Sequence, residues 1–284
     1  MNSQSALNFI LEVLPSLNHY HSRASSVYGY LDELVKPAID DLFGPRSECK
    51  AHLHGIGDFS LPYFTMGNIN STHLFGLDEL IIFSFYGINS SRYRNVADLG
   101  ANIGLHSICL SKLGYNVDAF EPDPIHLDRI NENINLNSVF PNIIPSAVST
   151  EDGSAEFTRV VGNTTGSHLS GAKDNLYGAL EKFEVSTRSF LKILLEHDLL
   201  KIDVEGHEAT IICSTSPCDW VNSDAILEVG SLSNAEMIYN HFKESNINLF
   251  AQSSSWQKVE SLADMPSSYK DGSLFISSKK QMPW

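Results

Sequence analysis

The sequence predicts an α/β protein built on one mainly parallel sheet with helices on both faces and a helical extension at the N-terminus. Two observations predict it. From residue 95 onward, apolar runs of strand length alternate with helical patterns, as in parallel sheets whose crossovers are helices. Residues 1–76 lack that alternation and carry amphipathic helical stretches instead.

The strand-like runs are NVADL (95–99), NVDAF (116–120), NIIPSAV (142–148), LLKIDV (199–204), DAILEV (224–229), INLFAQ (247–252) and SLFIS (273–277). Seven runs predict a seven-stranded, Rossmann-like sheet. Helical patterns fall at 104–113, 124–136, 189–196, 207–214 and 234–244, and Pro124 suits a first helical turn, where a missing N–H costs nothing. Only a loop separates the last two runs, so the final strand is expected to be antiparallel. Two further strands, at 155–161 and 182–187, form an excursion carrying the glycine-rich stretch GNTTGSHLSG (162–171). Ahead of the sheet, helices are expected at 5–14, 24–42 (closed by Gly44-Pro45) and 77–86. The chain is therefore divided into an extension, 1–76, suited to acceptor binding or oligomerisation, and a cofactor-binding domain, 77–284.

Composition narrows the function classes. Among the 284 residues, 34 acidic and 19 basic side chains give a net charge of −15. That balance argues against binding nucleic acid or an anionic membrane, both of which recruit basic patches. The first residues lack a basic leader, Glu12 interrupts their apolar stretch, and the run at 80–86 is too short to span a bilayer. Cys49, Cys109, Cys213 and Cys218 then read as free thiols of a cytoplasmic protein, which a homo-oligomer would also fit.

The first strand runs into Asp98-Leu99-Gly100-Ala101-Asn102-Ile103-Gly104. Gly100 and Gly104 allow a sharp turn and a close approach of backbone to ligand, with a helix N-terminus behind them. The spacing G-x-x-x-G is not the dinucleotide fingerprint. It suits a carboxylate with a neighbouring ammonium, for which Asp98 is available. Glu121, 21 residues after Gly100, stands where an acid accepts both ribose hydroxyls. A sugar at one end and an amino-acid moiety at the other describe S-adenosylmethionine.

In LLKIDVEGHE (199–208), alternation puts Lys201, Asp203 and Glu205 on one face. Unpaired burial of such groups is costly, so they belong at the carboxyl end of the sheet, where open α/β folds bind ligands. Asp203 and Glu205 are candidates to position the reacting groups, and His207 is the candidate general base. Rival readings are a hard-oxygen metal site of Asp203, Glu205 and Glu228, or a structural Lys201–Asp203 ion pair with Glu205 at the next helix N-terminus. No metal is expected, either there or at the pairs His19/His21 and His52/His54. His106 reads as packing, whereas Thr164, Thr165, Ser167 and His168 lie in a polar loop able to reach an acceptor.

VADLGANIGLHSICLSKLGYNVDAFEPDP, together with LLKIDVEGHEATII and the closing DGSLFISS, resembles the FkbM-type methyltransferases over about residues 77–278. The resemblance implies a class I methyltransferase fold, S-adenosylmethionine as donor, and O-methylation of a sugar, glycan or natural-product hydroxyl. It also implies that Asp98, Gly100, Asn102, Gly104 and Glu121 line the cofactor site, with Ser146 and Ala147 beside the adenine. A nicotinamide-dependent oxidoreductase and a non-catalytic cofactor-binding module are the rival classes.

Overall fold

The computed structural model describes residues 2–171 and 179–284. The chain opens with α1 (Ser3–Val13) and α2 (Ser26–Phe43). The side chains of Asn2 and Ser25 accept the N–H groups of Ser5 and Val27, satisfying donors that a helix start leaves orphaned. Two short hairpins follow, Lys50–Leu53 with Gly57–Ser60 and Thr65–Met66 with Ile69–Asn70. Helix α3 (Leu77–Ile88) comes next and is buried along most of its length.

Then β1 (Asn95–Leu99), α4 (Leu105–Lys112), β2 (Asn116–Phe120), α5 (Pro124–Asn137) and β3 (Asn142–Ile144) alternate as expected. The excursion comprises β4 (Ala147–Ser149), β5 (Gly153–Val160), β6 (His168–Leu169) and β7 (Leu180–Ser189). The chain returns through α6 (Phe190–Glu196), β8 (Leu199–Ile202), α7 (Glu208–Cys213), β9 (Asp224–Glu228) and α8 (Leu232–Phe242). It finishes with β10 (Asn248–Ala251), β11 (Gln257–Lys258) and β12 (Ser273–Ser277).

The main sheet has the order β11-β10-β12-β9-β8-β1-β2-β3. Strands β3, β2, β1, β8 and β9 are parallel neighbours, and β12 runs antiparallel to both β9 and β10. The α/β class, the mainly parallel sheet and the reversed last strand all match the sequence reading. The strand count does not: eight strands form, because the chain after β10 doubles back to add the two-residue edge strand β11. The run at 142–148 also splits. Pro145 has no N–H to give a ladder, so β3 stops at Ile144 and the chain leaves the main sheet. Residues 147–149 instead pair parallel with Thr187–Ser189 in a second sheet of order β6-β5-β7-β4.

Alternation along each strand divides the core. Val96, Ile226, Phe250 and Phe275 face one cluster, together with Leu7, Ile10, Leu14, Val35, Phe43 and Phe59 from residues 1–76. Ala97, Leu99, Leu227, Leu249 and Ile276 face the other, with Phe190, Trp220 and Phe242. The segment 1–76 thus shares a continuous core with one face of the sheet. Asp78 adds a polar seam: it pairs with Arg23, accepts from Tyr28 Oη at 3.1 Å, and accepts from Gln252 Nε2 at 2.5 Å. Among the described residues, no helix is long and apolar enough to cross a membrane.

Candidate active site

Where β1 ends, the backbone must turn at once. The N–H groups of Gly100 and Ala101 both donate to the carbonyl of Phe120, each at 3.0 Å. Gly100 has φ +79°, and a Cβ there would stand 1.8 Å from the carbonyl oxygen of Asp203. Only glycine fits this crossing of two strand ends. Asn102 also takes a left-handed conformation, at φ +52°, which aims its N–H at Glu121 Oε2, 2.8 Å away. Gly104 begins α4 at φ +87°, a left-handed backbone that favours glycine, although a Cβ there would make only ordinary contact with Ile130.

Glu121 is buried at the end of β2. Its Oε1 accepts the N–H of Asp123 at 2.8 Å, so backbone donors hold both carboxylate oxygens. His126, in the first turn of α5, lies 3.6 Å from Oε1 and hydrogen-bonds Thr164 Oγ1 through Nε2 at 3.0 Å. The excursion is clamped to the same corner by Arg159, which donates from Nε (2.7 Å) and Nη2 (2.5 Å) to the two oxygens of fully buried Asp123. That bidentate pair holds the Asp123 carboxyl below its usual range, against the opposing effect of burial.

At the end of β8 the chain leaves the extended region through Glu205 (φ +55°) and Gly206 (φ +103°). Glu208 fixes that turn: its carboxylate accepts the N–H groups of Val204 and Gly206, each at 3.0 Å. Glu208 is thus an acid at the start of α7. Lys201 is buried, 3.2 Å from Asp203 and 3.9 Å from Asp98. Burial opposes its charge, but those two carboxylates prevail and keep it protonated. Burial lowers the His207 pKa below its ordinary value, and its Nε2 has no hydrogen-bond partner among the described residues.

These strand ends and the excursion together line one pocket that opens to solvent. Gly100, Asn102, Glu121, Ser146, Ala147, Asp203, Glu205 and His207 all line it. Asp98 and Gly104 do not. Asp98 is wholly buried beneath the loop, where it accepts a 2.6 Å hydrogen bond from Ser107 Oγ, and Lys201 lies beside it. Burial raises its pKa. Sequence reasoning gave no site role to Phe120, Pro122, His126, Phe157 or Leu169, all of which line the pocket. Only His126 carried a chemical signal, an imidazole one turn beyond the E-P dipeptide. The 164–168 loop lines the pocket beside Glu121 and Ser146, and so walls the expected cofactor end. Among the described residues, no group of three His, Cys, Asp or Glu side chains is placed to hold a metal ion, at either histidine pair or around Glu228.

Residues 98–244, just over half of the chain, match the model of the methyltransferase FkbM domain. The chain belongs to the FkbM methyltransferase family. Its methyl donor is accordingly S-adenosylmethionine. The pocket fits such a ligand: Asn102 Oδ1 and Ser146 Oγ are buried polar atoms without hydrogen-bond partners among the described residues, in side chains that line it. A relative of this FkbM chain, the hexuronic acid methyltransferase AglP of Haloferax volcanii, is 31% identical over 119 residues. Those residues are 40% of this chain and 47% of that protein, so the match spans about half of the relative. Similar solved structures include a putative O-methyltransferase from Klebsiella pneumoniae, with 10% identity, TM-score 0.37, and coverage of 69% of this chain and 77% of that one. An O-methyltransferase from Bacillus cereus gives 12% identity and TM-score 0.34, with coverage of 68% and 78%.

Proposed function

We propose that this chain is an S-adenosylmethionine-dependent O-methyltransferase acting on a hydroxyl of a sugar, glycan or natural-product scaffold. The observation that carries the proposal is the meeting, on one pocket, of the Gly100 loop and Glu121 with the Asp203–Glu205–His207 turn. When bound, the cofactor supplies an electrophilic methyl group on a good leaving group. Glu121 accepts the ribose hydroxyls. The Gly100–Asn102 turn receives the amino-acid moiety, and Ser146 and Ala147 stand beside the adenine. Asp98 acts from beneath the loop, holding Lys201 and the start of α4 in place.

Asp203 and Glu205 accept hydrogen bonds from the acceptor and align its oxygen, the part of such a displacement that positioning can supply. His207 takes the hydroxyl proton on Nε2, and its lowered pKa keeps the ring neutral at neutral pH. The similarity to a hexuronic acid methyltransferase supports a sugar-type acceptor. The extension 1–76, acting with the 77–284 unit, is proposed to shape acceptor binding or self-association.

The test is to incubate the protein with S-adenosylmethionine and a panel of free sugars, nucleotide-sugars and glycans, and to measure S-adenosylhomocysteine by mass spectrometry. A methyl ether on one acceptor is expected. Turnover only on amine or thiol acceptors overturns O-methylation, turnover only on a carboxylate, which gives a methyl ester, overturns the hydroxyl acceptor, and calorimetric binding of NAD in place of S-adenosylmethionine overturns the donor.

A further inference from the structure

We infer that His126 is a positioning residue that ties the ribose-binding carboxylate Glu121 to the excursion walling the pocket. The inference rests on the proposed role of Glu121. His126 is 3% exposed and is the third residue of α5, a helix whose start is fixed by the Asp123 cap and Pro124. From there its ring reaches in two directions. Nδ1 lies 3.6 Å from Glu121 Oε1, an ion-pair distance, and Nε2 lies 3.0 Å from Thr164 Oγ1. Glu121, His126 and Thr164 all line the pocket. One imidazole therefore bridges the end of β2 to a loop 38 residues further along the chain.

The bland alternative is a histidine that merely fills space. Its charged surroundings argue otherwise. Glu121 and Asp123 face the ring from the β2–α5 corner, and Arg159 faces it from β5. Burial favours the neutral ring and Arg159 opposes charge, yet the two carboxylates prevail and the pKa is raised. A protonated ring donates from Nε2 to Thr164 and attracts Glu121 as an ion pair across 3.6 Å from Nδ1. It thereby fixes the Glu121 carboxylate against the loop. The second tie, Arg159 to Asp123, is separate: it holds β5 to the helix cap without touching Glu121. His126 is thus the link through which a change in the loop reaches the ribose acid.

The experiment is a double-mutant cycle on S-adenosylmethionine affinity, measured by calorimetry on the full chain with wild type, His126→Phe, Glu121→Gln and the double variant. His126→Phe is expected to weaken binding about tenfold, the scale of one charge-assisted contact. In the Glu121→Gln background that effect should shrink below about twofold, since the partner charge is gone. His126→Gln, which keeps an N–H donor, should recover part of the affinity. Equal fold-changes in both backgrounds would reduce His126 to packing and overturn the inference. Weakening by Glu121→Gln with no effect of His126→Phe also overturns it, while leaving the ribose reading intact. An unchanged dissociation constant for Glu121→Gln overturns the ribose reading and the inference with it. If His126→Phe does not fold, His126→Gln carries the same cycle, and additivity there is equally decisive.

Discussion

At Glu121 the N–H groups of Asn102 and Asp123 converge on a single buried carboxylate whose free lone pairs border the pocket. On its proposed role, Glu121→Ala would remove charge-assisted hydrogen bonds to the ribose worth roughly 1.5–3 kcal/mol each, and so should raise the dissociation constant for S-adenosylmethionine tenfold or more. Calorimetry checks this, with circular dichroism to confirm folding; unaltered affinity would remove Glu121 from the site. His207 differs in that its environment matters as much as its place. Burial lowers its pKa, so the base form dominates at neutral pH, and activity should fall only as the medium becomes acidic enough to protonate it. His207→Ala should lower kcat by about 10²–10⁴-fold with cofactor affinity little changed. A variant that keeps wild-type turnover, or an enzyme whose acid limb lies above neutrality, would exclude His207 as base. Spacing made Glu121 and His207 legible in the sequence, because each follows a strand end by a short, stiff connection. The same reasoning misplaced Asp98. An acid beside a glycine loop looks like a ligand group, yet its side chain turns under the loop to Ser107 and Lys201, a choice made by strands β1 and β8 pairing side by side.

Elements place these residues, and the tightest constraint is the crossing of the Gly100 turn with the end of β8. Gly100 and Gly55 have nearly the same backbone angle, φ +79° and +77°, but very different surroundings. A Cβ at Gly55 meets nothing within 4 Å, whereas one at Gly100 meets the Asp203 backbone at 1.8 Å. Gly55→Ala should therefore cost only the strain of a left-handed residue, about 1–2 kcal/mol. Gly100→Ala must also push β8 away from β1, and should lower the urea midpoint well beyond the Gly55 variant. Equal midpoints would mean the loop yields easily and the crossing is not the constraint. The sequence made the turn glycine readable but suggested a different reason for it, room for a ligand, because a sheet neighbour far along the chain leaves no local mark. The same limit hid the excursion's placement. Alternation at 155–161 and 182–187 marked two strands, but nothing local shows that β7 pairs with both β4 and β5, or that the loop after β5 lines the pocket.

Across the whole molecule, helices α1–α3 cover one face of the sheet as α6–α8 cover the other, so the extension shares one core with the sheet. Amphipathic periodicity revealed those helices, but a stripe of apolar residues does not name the surface that buries it. One buried residue at this junction reports on the whole assembly. His21 is 1% exposed; its Nε2 lies 3.0 Å from the carbonyl of Leu14, and its Nδ1 accepts from Trp256 Nε1 at 2.9 Å. Trp284 packs against its edge, with ring centroids 4.8 Å apart. Burial lowers its pKa from 6.5 to about 4, although the Leu14 carbonyl and Asp78 pull the other way. A histidine held neutral in the fold and free to charge in the unfolded chain stabilises the protein above pH 6.5. That contribution drains away as the pH falls toward 4, since only the unfolded state takes up the proton. The shift corresponds to about 3 kcal/mol between those limits. Urea unfolding between pH 7 and pH 4.5, followed by tryptophan fluorescence and by far-ultraviolet dichroism, should therefore show one transition whose midpoint drops with acidification. In His21→Gln, which cannot titrate, the drop should be shallower. Two separate transitions would mean that 1–76 unfolds on its own, and equal pH slopes in both proteins would mean that His21 is not the group that links the extension's docking to acid.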